Sequence, residues 1–275
     1  MKQRVITAIV LLIIAIPICI FSNTIVFPTV WALLAAVGVY ELLGCMGTRR
    51  CYAIAVPLYA MALMSPFVVW YNHNGLLMQF KPNYDIILVP LLFALYLLGV
   101  WVFSYEKNQD VDMNKIITSA VVSLYIIGAC SSVVMMREAT GGEYYWYFIF
   151  IGAWVTDTFA YFTGMLFGKH KLIPNVSPKK TVEGAIGGVI FCIAFFVGYG
   201  AILNHFTQYD ISLWLLAAAG LLSALVSMIG DLSMSVIKRK YGIKDYGTIF
   251  PGHGGVLDRF DSILAVAIVM ALFLA

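Results

Sequence analysis

Apolar runs of about twenty residues recur along almost the whole chain, and this one feature limits what it can fold into. Runs of spanning length are predicted near 5–22, 25–44, 52–71, 86–104, 115–136, 145–167, 184–203, 211–234 and 257–275. A bilayer core is crossed by about 20 apolar residues in helical form. In lipid the backbone must satisfy its own hydrogen bonds, which leaves the helix as the solution at this length. A soluble alternative fails on composition. Of the 275 residues, 62% are hydrophobic and 11% charged, against about 25% charged in soluble domains. Mean hydropathy is +0.91. The fold class expected is an all-α integral membrane protein of about nine transmembrane helices.

Charge placement orients these helices. With the N-terminus in the cytoplasm, every one of the 17 basic residues except Lys81 and Arg137 falls on the inner side, as the positive-inside rule requires. The C-terminus then lies outside. Met1-Lys2-Gln3-Arg4 and the apolar run behind it have the outline of a signal peptide. They lack a clear small-x-small cleavage site, so a retained first span is expected. Cys19, Cys45, Cys51, Cys130 and Cys192 are scattered and read as buried thiols, not a disulfide framework or zinc site. Residues 1–142 read as scaffold helices. Residues 143–275 read as a catalytic membrane region carrying two basic cytoplasmic loops, 168–183 and 238–259.

Three carboxylates edge the second loop: Asp231 near the end of the eighth span, and Asp258 and Asp261 at the start of the ninth. Acids at such depth are costly and face a cavity or a partner. Asp258 and Asp261 are three apart and share a helix face. Brought together with Asp231 they would suit Mg²⁺, a hard ion held by a few carboxylates and by substrate phosphates. Structural pairing with Arg239 or Arg259 is the alternative. Asp231, Ser235 and Lys238 lie on one helical stripe, which suits a phosphate with a bridging cation. Lys238, Arg239 and Lys240 also read as positive-inside anchors.

Pro251-Gly252-His253-Gly254-Gly255 precedes the ninth helix. Glycines admit close backbone approach, and a helix start favours phosphate. His253 could donate a hydrogen bond to a phosphoryl oxygen there, or be incidental. In the other loop, Ser177, Lys179, Lys180 and Thr181 could hold a triphosphate or an anionic lipid head, or simply flank a capped helix start. Gly187-Gly188 fits close helix packing. Asp157 stands inside the sixth span and is either a further metal or substrate contact or a structural group; Glu41 and Glu183 are weaker candidates.

Taken together, Ser235-x-x-Lys238-Arg239-x-x-x-x-Lys244-Asp245-x-Gly247-x-x-x-Pro251-Gly252-His253-Gly254-Gly255-x-x-Asp258-Arg259-x-Asp261 resembles the signature of the phosphatidate cytidylyltransferases, also called CDP-diglyceride synthases. Phe250 supplies the bulky apolar residue before the proline. Ser177-Pro178-Lys179-Lys180-Thr181-Val182-Glu183-Gly184 resembles a second family motif, with Val182 where Trp is frequent. The segment from Asp157 to Lys171 is similar to a third. The resemblance with specific motifs covers residues 152–265; over residues 1–142 it rests on size and hydropathy.

The resemblance implies that CTP and phosphatidic acid give CDP-diacylglycerol and pyrophosphate in phospholipid biosynthesis, with Mg²⁺. It implies metal binding by Asp231 and Asp258, to which Asp261 is added, for one or two cations. The mechanism expected from the residues then places Lys238 and His253 with the catalytic groups, and Ser177, Lys179, Lys180, Thr181, Ser235, Arg239, Lys244 and Arg259 with the substrates. A homodimer in a bacterial plasma membrane, its site on the cytoplasmic face, is the expected setting. Nucleic acid is not an expected partner. A CTP-using polyprenol kinase would share lipid acceptor, metal and CTP but move the γ-phosphate. A secondary transporter should show inverted repeats, and the sequence shows none. An intramembrane aspartyl protease would not place a basic, glycine-rich loop between its two acids.

Overall fold

A computed structural model describes residue 13 and residues 15–73, 112–252 and 254–274. Its long helices are α1 (Val26–Met46), α2 (Tyr52–His73), α3 (Met113–Glu138), α4 (Gly142–Phe167), α5 (Val182–Phe206), α6 (Leu213–Lys240) and α7 (Leu257–Leu274). The first six are long and apolar enough to cross a membrane. The seventh carries Asp258, Arg259 and Asp261 in its first two turns. The sequence spans near 25–44, 52–71, 115–136, 145–167, 184–203, 211–234 and 257–275 correspond to these seven in order. Most of the span near 5–22 and all of that near 86–104 lie outside the described residues.

Large apolar side chains point outward along these helices, among them Leu33, Val121, Ile186, Phe191 and Ile202. A water-soluble protein does not expose apolar surface on this scale; toward lipid it costs nothing. Inside, Phe27, Trp31, Phe148 and Phe196 anchor the packed core.

Helices α4 to α7 pack in succession, and α1 to α3 form a mutually packed trio. The two sets meet where α3 and α1 contact α7. α4 is not regular. Two single α-turns, Gly142–Tyr145 and Tyr147–Phe150, and a π-turn, Ile151–Val155, precede its regular stretch Thr156–Phe167. The π-turn threads closely between neighbours: a Cβ on Gly152 would lie 2.9 Å from Val266 of α7 and 3.2 Å from Ser223 of α6. Such turns recur beside functional groups, and Asp157 follows this one directly.

α4 and α5 approach along glycines. A Cβ on Gly184 would sit 2.6 Å from the Ala160 carbonyl, one on Gly188 2.9 Å from that of Thr156, and one on Gly187 would collide with Thr163. Small residues permit this in lipid, where packing replaces the hydrophobic drive. Gly187→Val is therefore expected to cost ~1–3 kcal/mol by overpacking and to lower the melting temperature in detergent by roughly 2–12 °C. An unchanged melt would mean that the two helices are not in contact there.

The 168–183 loop, for which the sequence predicted no regular structure, contains a pair of strands. Lys171–Ile173 and Ser177–Thr181 pair antiparallel as a small hairpin, β1 and β2, with a register irregularity that places the extra residues on β2. Pro174 and Asn175 fall in its turn, where a fixed φ and tolerance of tight geometry are useful. Outside a helix, these backbone groups find partners across the hairpin. Thr181 ends it and caps α5, its hydroxyl accepting the Gly184 amide at 3.2 Å, as the Thr-x-Glu spacing implied. Glu183 then accepts the Lys169 and His170 amides at 3.1–3.2 Å and contacts the His170 ring at 2.6 Å, tying the hairpin's start to its end.

Candidate active site

The motif residues gather where α6 and α7 run side by side. Gly230 makes this closeness possible: a Cβ there would lie 2.8 Å from the Asp261 carbonyl oxygen. Asp231 is the next residue, so it and Asp261 sit on adjacent helices at one level. Asp157 joins them from α4, where its Oδ2 accepts the Ser262 hydroxyl at 3.0 Å. The three carboxylates are close enough to act electrostatically on one another. The sequence left Asp157 between a catalytic and a structural role; it lies with Asp231 and Asp261.

β2 supplies the opposing charge. The Lys180 ammonium is 2.5 Å from Asp231 Oδ2, an ion pair not directed along a hydrogen-bond axis. Asp231 Oδ1 accepts the Ser235 hydroxyl at 3.3 Å, so the first two groups of the helical stripe do meet. A cavity of about 290 Å³ opens here, walled by Asp157, Asp231, Lys179, Lys180 and Thr181 and flanked by the apolar faces of Tyr161 and Met165. Asp157 and Asp231 wall it with Asp261 close by, Lys180 is engaged with Asp231, and the carboxylate donors are all hard oxygens. Among the described residues no three such side chains converge as a complete ligand set. An ion held here would need substrate or water to complete its shell, as Mg²⁺ does when it takes one or two carboxylates and fills its remaining positions with water and phosphate.

Asp258 is engaged differently. Its Oδ1 accepts the Lys238 ammonium at 2.7 Å; its Oδ2 accepts the Tyr246 amide at 2.7 Å and the Gly255 amide at 2.9 Å. The pair is buried, with side chains 12% and 3% exposed for Lys238 and Asp258, where those of Lys180 and Asp231 are 26% and 28% exposed. Asp258 thus folds the basic loop back onto its own helix. Tyr246 adds a tether, its hydroxyl donating to the Met234 carbonyl at 2.9 Å. Burial pushes this phenol well above its usual range, which keeps it a neutral donor.

Lys244, Asp245, Gly247, Thr248, Phe250, Pro251, Gly252, Gly254 and Arg259 wall a second cavity of about 590 Å³. The turn closes by paired backbone hydrogen bonds between Phe250 and Gly254 at 2.9 and 3.1 Å. Gly252 and Gly254 have φ of 76° and 92°, a region that side chains strain. His253 lies outside the described residues. Arg239 reaches the Ile243 carbonyl at 3.5 Å along the exposed end of α6, and Ser177 opens β2 opposite Ile173.

Comparison with known proteins bears on the whole arrangement at once. A family model described as the cytidylyltransferase family matches residues 2–275. The chain belongs to the cytidylyltransferase family. A phosphatidate cytidylyltransferase of Staphylococcus aureus (strain COL) is 32% identical over 268 residues, spanning 97% of this chain and 96% of that protein. Those of Staphylococcus haemolyticus and Staphylococcus epidermidis are each 33% identical, over 267 and 269 residues, with the same coverage. The match therefore extends through the N-terminal helices, where residue motifs alone had been silent.

Those helices reach the motif region of this cytidylyltransferase through a residue the sequence ranked low. Glu41 of α1 is 2% exposed. Its two oxygens accept the Val256 and Leu257 amides, each at 2.9 Å, at the start of α7. The signal available in the sequence was the cost of a lone acid in an apolar span; its partner lay more than two hundred residues away.

Proposed function

We propose that this chain transfers the cytidylyl group of CTP to phosphatidic acid, releasing pyrophosphate and leaving CDP-diacylglycerol in the membrane. The observation that carries this reading is the cluster of Asp157, Asp231 and Asp261 against Lys180 on a cavity flanked by lipid-facing side chains. It is supported by near-full-length similarity to proteins named for this reaction.

In the reaction a phosphate oxygen of phosphatidic acid attacks the α-phosphorus of CTP. The bond from that phosphorus to the β-phosphate bridging oxygen breaks, and pyrophosphate departs with its electron pair. The nucleophile is already anionic, so general-base help is minor. The difficulty is to bring two anions together and stabilise the leaving group, which is electrostatic work by positioned charges. Lys180 and Lys179 face the lipid phosphate in the smaller cavity, whose apolar flank lets the acyl chains stay in lipid. Lys244 and Arg259 face the triphosphate in the larger one. Lys238, fixed by Asp258, adds positive charge at the base of the loop. Ser235 orients Asp231. His253 and Arg239 are assigned to the triphosphate side, and Thr181 and Ser177 to the hairpin that carries the lysines.

Asp231 and Asp261, with Asp157 beside them, would hold Mg²⁺, which when bound offsets the phosphates' charge and stabilises the leaving pyrophosphate. Asp258 could join that set only by exchanging the Lys238 ammonium for the ion. The site lies on the cytoplasmic face of the plasma membrane in this reading, in line with the distribution of basic residues.

Purified protein in detergent, given phosphatidic acid, CTP and Mg²⁺, is expected to form CDP-diacylglycerol. Chelation is expected to stop it and added Mg²⁺ to restore it. Absence of product across a range of divalent cations would overturn the proposal.

A further inference from the structure

The contacts around Glu41 extend beyond capping one helix. Burying a carboxylate without compensation costs several kcal/mol, and here both oxygens are compensated by amides of a helix start, whose donors otherwise lack partners and whose dipole favours negative charge. Two glycines of the basic loop pack on the same carboxylate. A Cβ on Gly247 or on Gly255 would collide with Glu41 Oε1. Neither glycine has a positive φ, unlike Gly252 and Gly254, so backbone conformation does not demand glycine at either position. Room for the Glu41 carboxylate does.

The loop is thereby clipped from two sides. Asp258 holds the Tyr246 and Gly255 amides. Glu41 holds the Val256 and Leu257 amides and receives Gly247 and Gly255 against its face. Between these clips, Gly247, Thr248, Phe250, Pro251, Gly252 and Gly254 form wall of the larger cavity. We infer that Glu41 is a positioning residue for the nucleotide: from the N-terminal helices it fixes the loop that receives the triphosphate, and so sets affinity for CTP and not for the lipid. This rests on the reading that the larger cavity takes CTP.

The inference is tested by steady-state kinetics of Glu41→Gln, Glu41→Ala, Gly255→Ala and the Glu41→Ala/Gly255→Ala double variant, with hydrogen exchange over residues 244–260 in the substrate-free protein. Glutamine keeps the shape but turns an NH₂ toward one of the two amide donors. A hydrogen bond to a charged group is worth enough that its loss is expected to raise the KM for CTP ~10-fold or more, with that for phosphatidic acid changing less than about twofold. Loop amides should exchange faster in the same variant. Gly255→Ala should have a comparable effect, and the double variant should be no worse than Glu41→Ala, because removing the carboxylate makes room for the added methyl.

A purely structural role would lower the yield of active enzyme and leave both KM values where they were. That result, or unchanged loop exchange in Glu41→Gln, or fully additive effects in the double variant, would overturn the inference. If Glu41→Ala does not fold, Glu41→Gln and Gly255→Ala carry the test. Were the unaltered protein to make no CDP-diacylglycerol, the functional reading would fall; the exchange measurement would still decide whether Glu41 clips the loop.

Discussion

Asp231→Asn is expected to reduce cytidylyl transfer by ~10³-fold or more, the scale on which a single electrostatic contributor to such a transition state is felt, without weakening the fold. Both halves follow from its surroundings. Asp231 shares one cavity with Asp157, with Asp261 close enough to act on both, and Lys180 is its ion-pair partner there. Removing one of three mutually repelling charges relieves repulsion in the substrate-free state. The Lys180 ammonium is buried against Asp231, but its side chain is 26% exposed, so rotation brings the ammonium to water once its partner is neutral. The melting temperature without Mg²⁺ should therefore hold or rise. A ligand that binds only the folded state raises stability in proportion to ln(1 + [L]/Kd), so Mg²⁺ should stabilise the parent protein and fail to stabilise the variant. Turnover and a Mg²⁺ titration of the melt check this together. Near-normal turnover in the variant would remove Asp231 from the reaction.

Asp258→Asn is expected to abolish turnover as well, but with the opposite sign on stability. Here the carboxylate is buried, pairs with a buried lysine and takes two loop amides. Breaking such a pair from one side leaves an uncompensated charge and costs ~3–5 kcal/mol. The loss should show as a lower melting temperature and as faster hydrogen exchange across residues 244–256. Removing the stranded charge too, in Asp258→Asn/Lys238→Met, should recover part of the stability and none of the activity. If Asp258→Asn melts like the parent and responds to Mg²⁺ as Asp231→Asn does, Asp258 belongs among the cation ligands instead.

The contrast between these two aspartates shows what the sequence could express. Periodic and local features were legible. Apolar runs located the described helices to within a few residues, the Thr181 cap followed from its spacing to Glu183, and the Asp231–Ser235 contact followed from a four-residue helical step. The 168–183 hairpin was not legible, because its strands are short and interrupted by proline and charge. Pairings between distant segments were also hidden. Asp258 and Asp261 are three residues apart on one helix, and spacing alone grouped them. Their surroundings differ because Gly230 lets α6 come close at Asp261, while the Tyr246 and Gly255 amides fold back onto Asp258. Lys180 stood out as half of a basic pair, but its partner lies on another helix. Glu41 had no neighbouring polar residue to suggest a role; its partners are backbone amides, which every residue but proline carries.

CTP labelled with ³²P at the α or at the γ position, supplied with phosphatidic acid and Mg²⁺ to the purified protein, tests the central claim most directly. The α-label is expected in the lipid product and the γ-label in released pyrophosphate. The γ-label in lipid, with CDP released, would instead identify a lipid kinase and contradict cytidylyl transfer.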